Sequence, residues 1–168
     1  AMGYDDSLDA FGVHGIGAIG ISTRDAPRAR AAATNFGVLR LRRDVLRRSS
    51  VGVMATTRSV TQSGTGSNDA YGVDGTFAFF ANLAFNAYWA KTRTTGLSGS
   101  DSSYRAQMEY AGDRYGLTLD RLVVGDNFNP EIGFVRRDNI RESIGQVRFS
   151  PRPANCPISG PWKPASPP

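Results

Sequence analysis

At 168 residues the chain is long enough for one ordinary domain and a poor fit for two. Hydrophobic residues make up 40% and charged residues 21%, and no stretch approaches the roughly 18 uninterrupted apolar residues of a membrane helix, which excludes a disordered chain and a helical membrane protein. The formal charge of +5 is carried almost wholly by arginine, spread through nearly every segment and mixed with Asp and Glu; a nucleic-acid binder gathers such charge on one face with aromatics interleaved, so no nucleic-acid partner is expected.

The chain opens on AMGYDDSLDAF (1–11), which lacks a basic stretch followed by an apolar core; it reads as a disordered or linker N-terminus, with any export signal expected upstream. Gly12, Gly15, Gly17 and Gly20 have the look of a nucleotide-binding loop, but ISTRDAPRARAA follows without an amphipathic helix. A glycine-rich strand over 13–22 is the better reading. Strands are then expected over 34–45 and 50–59, joined by a tight hairpin at RDVLRRSS, where a short helical turn is the alternative.

Downstream the residues alternate with period two. Tyr71, Val73, Phe77 and Phe79 fall on one face, against Asp74, Thr76 and Ala78 on the other. Leu83, Phe85, Ala87 and Trp89 oppose Ala84, Asn86, Tyr88 and Ala90; Tyr104, Ala106, Met108 and Tyr110 oppose Arg105, Gln107 and Glu109. This is the pattern of strands with one apolar and one polar face. It predicts strands over 70–80, 83–93, 103–112, 115–124, 131–137 and 141–149. The separators SVTQSGTGSND, TTGLSGSDS, AGDR and GDNFNPE are turn-forming clusters. Residues 12–150 therefore read as an all-β, antiparallel up-and-down meander. Several of its runs reach the length of about nine to eleven residues that a membrane-barrel strand needs, and aromatic-rich apolar faces suit its interface girdles. From 151 to 168 the chain is crowded with prolines, which remove ladder donors, and it reads as a disordered tail.

Four blocks carry a family resemblance. They are ATNFGVLRLRRDVLRRSSVGVMATTR (33–58), AYGVDGTFAFFANLAFNAYWAKTRTTGLSG (70–99), YRAQMEYAGDRYGLTLDRL (104–122) and VVGDNFNPEIGFVRRDNIRESIGQVRFSPRP (123–153). In this order they resemble the DUF5916 family. The resemblance implies an exported bacterial protein whose C-terminal region is an outer-membrane β-barrel, following an N-terminal domain similar to carbohydrate-binding module family 9. That module is not within this chain, and the family's barrel runs on beyond the SPRP segment, so an incomplete barrel segment is the expectation.

Candidate sites are few. His14 is the only histidine and Cys156 the only cysteine, and neither has partners for metal or nucleophilic chemistry nearby. Asp126, Asn127, Asn129 and Glu131 place hard oxygen donors close together, a weak calcium candidate whose spacing is not that of an EF-hand loop. The polar faces contribute Arg40, Arg42, Asp74, Arg105, Glu109, Asp120 and Arg148 as lumen-facing candidates, either a ladder of salt bridges or the lining of a pore. Glu109 and Asp120 have no fixed separation to make them an acid pair. No catalytic constellation and no cofactor is expected. The expected function is thus an outer-membrane barrel fragment, its partners lipid, the remainder of its own barrel and an oligosaccharide; a soluble antiparallel β binding module is the alternative.

Overall fold

The computed structural model describes residues 15–25, 32–133 and 135–151. Residues 1–14 and 152–168 lie outside it, and with them His14, Cys156, the expected N-terminal linker and all but the first residue of the proline-rich tail.

Eight strands form a single sheet: β1 (Gly15–Ser22), β2 (Asn35–Leu46), β3 (Ser49–Arg58), β4 (Asn68–Phe79), β5 (Leu83–Thr94), β6 (Ser102–Ala111), β7 (Tyr115–Val124) and β8 (Ile140–Phe149). They pair in sequence order and every pairing is antiparallel, so the chain is an up-and-down meander. β1 and β8 are its two edges and do not pair with each other.

The hairpin expected at RDVLRRSS is present. Arg47 and Arg48 make a two-residue turn, and a register shift between Asp44 and Leu46 lets the β2 end bend into it. The β4–β5 turn is one residue longer (80–82), and Phe80 adopts φ of 56° there, a left-handed conformation a bulky side chain rarely takes.

The strand expected over 131–137 is not formed among the described residues. Pro130 has no N–H to give to a ladder, and its carbonyl accepts from Gly133 N at 2.8 Å, closing a turn. Residues 125–139 instead make a long connection between β7 and β8.

Because opposed residues share a face, the register sorts every side chain. One face carries Leu39, Val53, Val73, Trp89, Tyr104 and Leu119, with their same-parity neighbours; the other carries the arginines and carboxylates read from the sequence. Ala70 and Val124 are the only buried hydrophobic residues among those described, whereas Ile16 is 74% exposed and Val147 78%. No second layer covers the apolar face among the described residues. Among the described residues the sheet buries no conventional core; what it buries is mostly polar, and the most fully enclosed side chains, Asn68, Thr92 and Ser103, lie beneath the 125–139 connection.

Candidate functional site: a roofed polar face

Arg40, Arg42, Asp74, Arg105, Glu109, Asp120 and Arg148 all project from the polar face, as their strand parity requires. The register also aligns charges that are far apart in the chain. Arg42, Gly52, Asp74, Tyr88, Arg105, Leu122 and Glu142 form one cross-strand row from β2 to β8, in which the charge sign alternates.

Two ion pairs are diagonal to that row. Arg40 reaches across β3 to Asp74 with both guanidinium nitrogens, one at 2.8 Å from Oδ2. The crossing is possible because residue 52 is glycine: a Cβ there would lie 2.6 Å from Arg40 Nη2 and 2.9 Å from Asp74 Oδ1. Arg105 holds Asp120 on the neighbouring strand, with Nε at 3.0 Å from Oδ1. The remaining candidates do other things. Arg42 donates to Ser50 Oγ at 2.8 Å. Arg148 donates to the Gly112 carbonyl at 2.9 Å, securing the β6–β7 turn. Glu109 is exposed near that end of the sheet and is not brought to Asp120, which is taken by Arg105.

The connection after β7 folds back over this face and is tied down strand by strand. Asn127 Nδ2 donates to the carbonyls of Ser98 and Gly99, at 3.1 and 2.9 Å. Asn129 N donates to Thr92 Oγ1 at 3.1 Å. Asn68, with 0% of its surface exposed, donates from Nδ2 to the Asn129 carbonyl at 2.7 Å and accepts from Glu131 N at 3.1 Å. The Glu131 carboxylate pairs with Arg58 at 3.2 Å and accepts from Gln62 N. The segment therefore crosses from the β5–β6 loop to the β3–β4 loop.

These contacts redirect the calcium candidates. Asp126 accepts from the Asn127 amide, Asn127 and Asn129 hold the sheet, and Glu131 faces a guanidinium. No group of three or more His, Cys, Asp or Glu residues suited to a metal ion occurs among the described residues.

Asn68, Thr92, Arg58 and Gly52 escape sequence reasoning. Asn68 sits inside a turn-forming cluster, and nothing local marks it as the residue that a segment about sixty positions later will bury. Between the roof and the sheet lies a cleft of about 740 Å³. Its floor is low because Gly72, Ala90 and Ser103 are neighbours in one register row.

No protein-family model matches the chain, and no curated protein or solved structure matches it either.

Proposed function

We propose that this chain is a wall segment of an outer-membrane-type β-barrel, its apolar face against lipid and its polar face lining the lumen, with residues 125–139 folded inward. The observation that carries this reading is the outline of the apolar band. On the apolar face the band ends at Thr57 and Asp69 on β3 and β4, at Lys91 and Ser102 on β5 and β6, and at Arg121 and Ser143 on β7 and β8, with Val123 the one apolar residue beyond. Tyr71, Trp89 and Tyr104 stand immediately inside that limit. At the opposite limit stand Phe79, Tyr110, Tyr115 and Phe149. Two aromatic rows bounding an apolar band are the girdles of a membrane barrel.

The band is also oblique. Extending the Thr57 row through the register reaches position 137 on the line of β8, so Ser143 lies six residues lower after five strand steps. The other limit descends in the same direction: the row of Phe79 on β4 passes through Tyr110 to Leu117 on β7, and Tyr115 lies two residues lower. A drop of about 1.2 residues per strand, with a rise near 3.3 Å and a strand spacing near 4.8 Å, corresponds to strands tilted by about 40° to the band. That is the tilt of strands in membrane barrels. β2 to β8 are 10 to 12 residues long, enough to cross at that angle.

The inward loop bears on barrel size. Eight strands enclose a space that side chains alone fill, whereas here a fifteen-residue connection and a cleft occupy the polar face. On this reading β1 and β8 pair with further strands and not with each other. The likeness to the DUF5916 family rests on the four sequence blocks; the band and its slope are independent of it, and a carbohydrate ligand enters through that likeness alone.

The test is circular dichroism with and without micelles, joined to quenching of Trp89 by brominated lipid in a Trp162→Phe background. Ordered β-structure that needs micelles, with Trp89 strongly quenched, is the expected result. A monodisperse β-protein in plain buffer with Trp89 unquenched in lipid would replace the membrane reading with that of a soluble binding module.

A further inference from the structure

The cleft under the 125–139 connection has unspent charge. Its floor is the small-residue row of Gly72, Ala90 and Ser103, with Tyr88 and the Arg40–Asp74 pair at one side. Its roof is Phe128, Pro130 and Val135, followed by Arg136 and Arg137. Arg40 and Asp74 neutralise each other. Tyr88 Oη and Ser103 Oγ are 3.2 Å apart and satisfy each other. The two roof arginines have no hydrogen bond or ion pair among the described residues, and Glu142 is the one further carboxylate on the wall. The lining is therefore left with one positive charge in excess beside an apolar and aromatic surface. Its volume of about 740 Å³ is of the size that holds small organic molecules.

We infer that this cleft binds a small organic anion, a molecule with a carboxylate or phosphate group and a compact apolar or ring-shaped body. Arg136 and Arg137 hold the anionic group, because a guanidinium presents paired donors to two oxygens of a carboxylate or phosphate. The body lies over Gly72 and Ala90, against Phe128 and Tyr88. The wall and roof belong to one chain, so the inference holds whether lipid or water covers the other face of the sheet.

Phenyl phosphate and benzoate are suitable probes, with benzyl alcohol as the uncharged control and empty micelles as the blank. Titration calorimetry is run on the full chain in whichever medium gives it β-structure by circular dichroism, so that a failure to fold is read separately from a failure to bind. Both anions are expected to bind, benzyl alcohol at least tenfold more weakly, since a charge-assisted hydrogen bond is worth at least that factor. Arg136→Gln combined with Arg137→Gln is expected to weaken the anions about tenfold or more. Ala90→Leu, which fills the floor and leaves every charge in place, is expected to abolish binding. Arg43→Gln, on the opposite face, leaves it unchanged. Binding of neither anion by the folded wild type overturns the inference. So does binding that survives the double arginine substitution, or that Arg43→Gln reduces as much.

Discussion

Removing the Asn68 side chain should release the roof while leaving the wall standing. Asn68 is fully enclosed, and its amide makes three hydrogen bonds, to Thr94 Oγ1 and the Asn129 carbonyl from Nδ2 and from Glu131 N to Oδ1. Two of the three hold the connection and one holds the neighbouring strand. At about 1 kcal/mol net for each, Asn68→Ala loses about 2 kcal/mol of docking free energy. A loop that lifts re-solvates the Asn129 carbonyl and the Glu131 amide, so the loss appears as local opening and not as global unfolding. About 2 kcal/mol is a roughly thirtyfold increase in the open population. Amide exchange of residues 127–131 reads it directly, and trypsin cleavage after Arg136 and Arg137 reads it independently. Asn68→Asp should be worse than Asn68→Ala, because it removes the donor and sets a carboxylate against the Asn129 carbonyl. Thr94→Val, which touches only the strand-side bond, should leave exchange at 127–131 within about twofold. Equal acceleration across the strands in Asn68→Ala, with no excess at 127–131, would refute the assignment of Asn68 as the roof's anchor.

Other positions separate the two faces and their pairs. Val73→Arg, in the middle of the apolar band, should cost about 2–4 kcal/mol in lipid-based unfolding, while Thr76→Arg on the polar face should stay within about 1 kcal/mol; equal costs would contradict the lipid-facing assignment. Gly52→Ala should destabilise by about 1 kcal/mol by displacing Arg40 from Asp74, and the penalty should shrink in an Arg40→Met background, as a denaturation cycle will report. Tyr115 and Phe149 stack at 5.2 Å between centroids across β7 and β8, and a double-mutant cycle to Ala should give a coupling of about 0.5–1.5 kcal/mol. Phe80→Gly relieves the left-handed backbone at the β4–β5 turn and should raise the denaturation free energy by about 1 kcal/mol; a loss there would mean that the exposed ring is anchored by its surroundings.

The meander was legible because its signal is local. Alternation such as Tyr104, Arg105, Ala106, Gln107 declares both the strand and its faces, and turn clusters set the strand ends to within a residue or two. The failure over 131–137 has a local cause as well. EIGFVRR offers a strand-like mixture of residues, and only the Pro130–Gly133 turn and a buried asparagine on β4 show that the backbone bonds go elsewhere. The ion pairs needed a register. Arg40 and Asp74 are 34 positions apart and meet only because two hairpins align them and Gly52 leaves the space between them open. The roof needed contacts over about sixty positions, a range at which residue type alone carries no address.

The same register explains an excess of arginine that composition leaves puzzling. On the apolar face the basic residues Arg43, Lys91, Arg93, Arg121 and Arg141 stand at the limits of the band, not within it. There their long stems can cover apolar surface while the charged heads reach water. The Arg93 guanidinium instead lies over the Tyr71 ring, 5.9 Å from its centroid. On the polar face Arg40, Arg58 and Arg105 are each matched by a carboxylate, Asp74, Glu131 and Asp120. On the proposed barrel reading, with lipid in front of the sheet and a hydrated lumen behind it, cations belong at two places, the rim of the band and the lining, and neither gathers them into one patch. That division is why the basic residues run evenly through the sequence, and why Arg136 and Arg137, which lie in the roof and belong to neither place, mark the position where a ligand is to be sought.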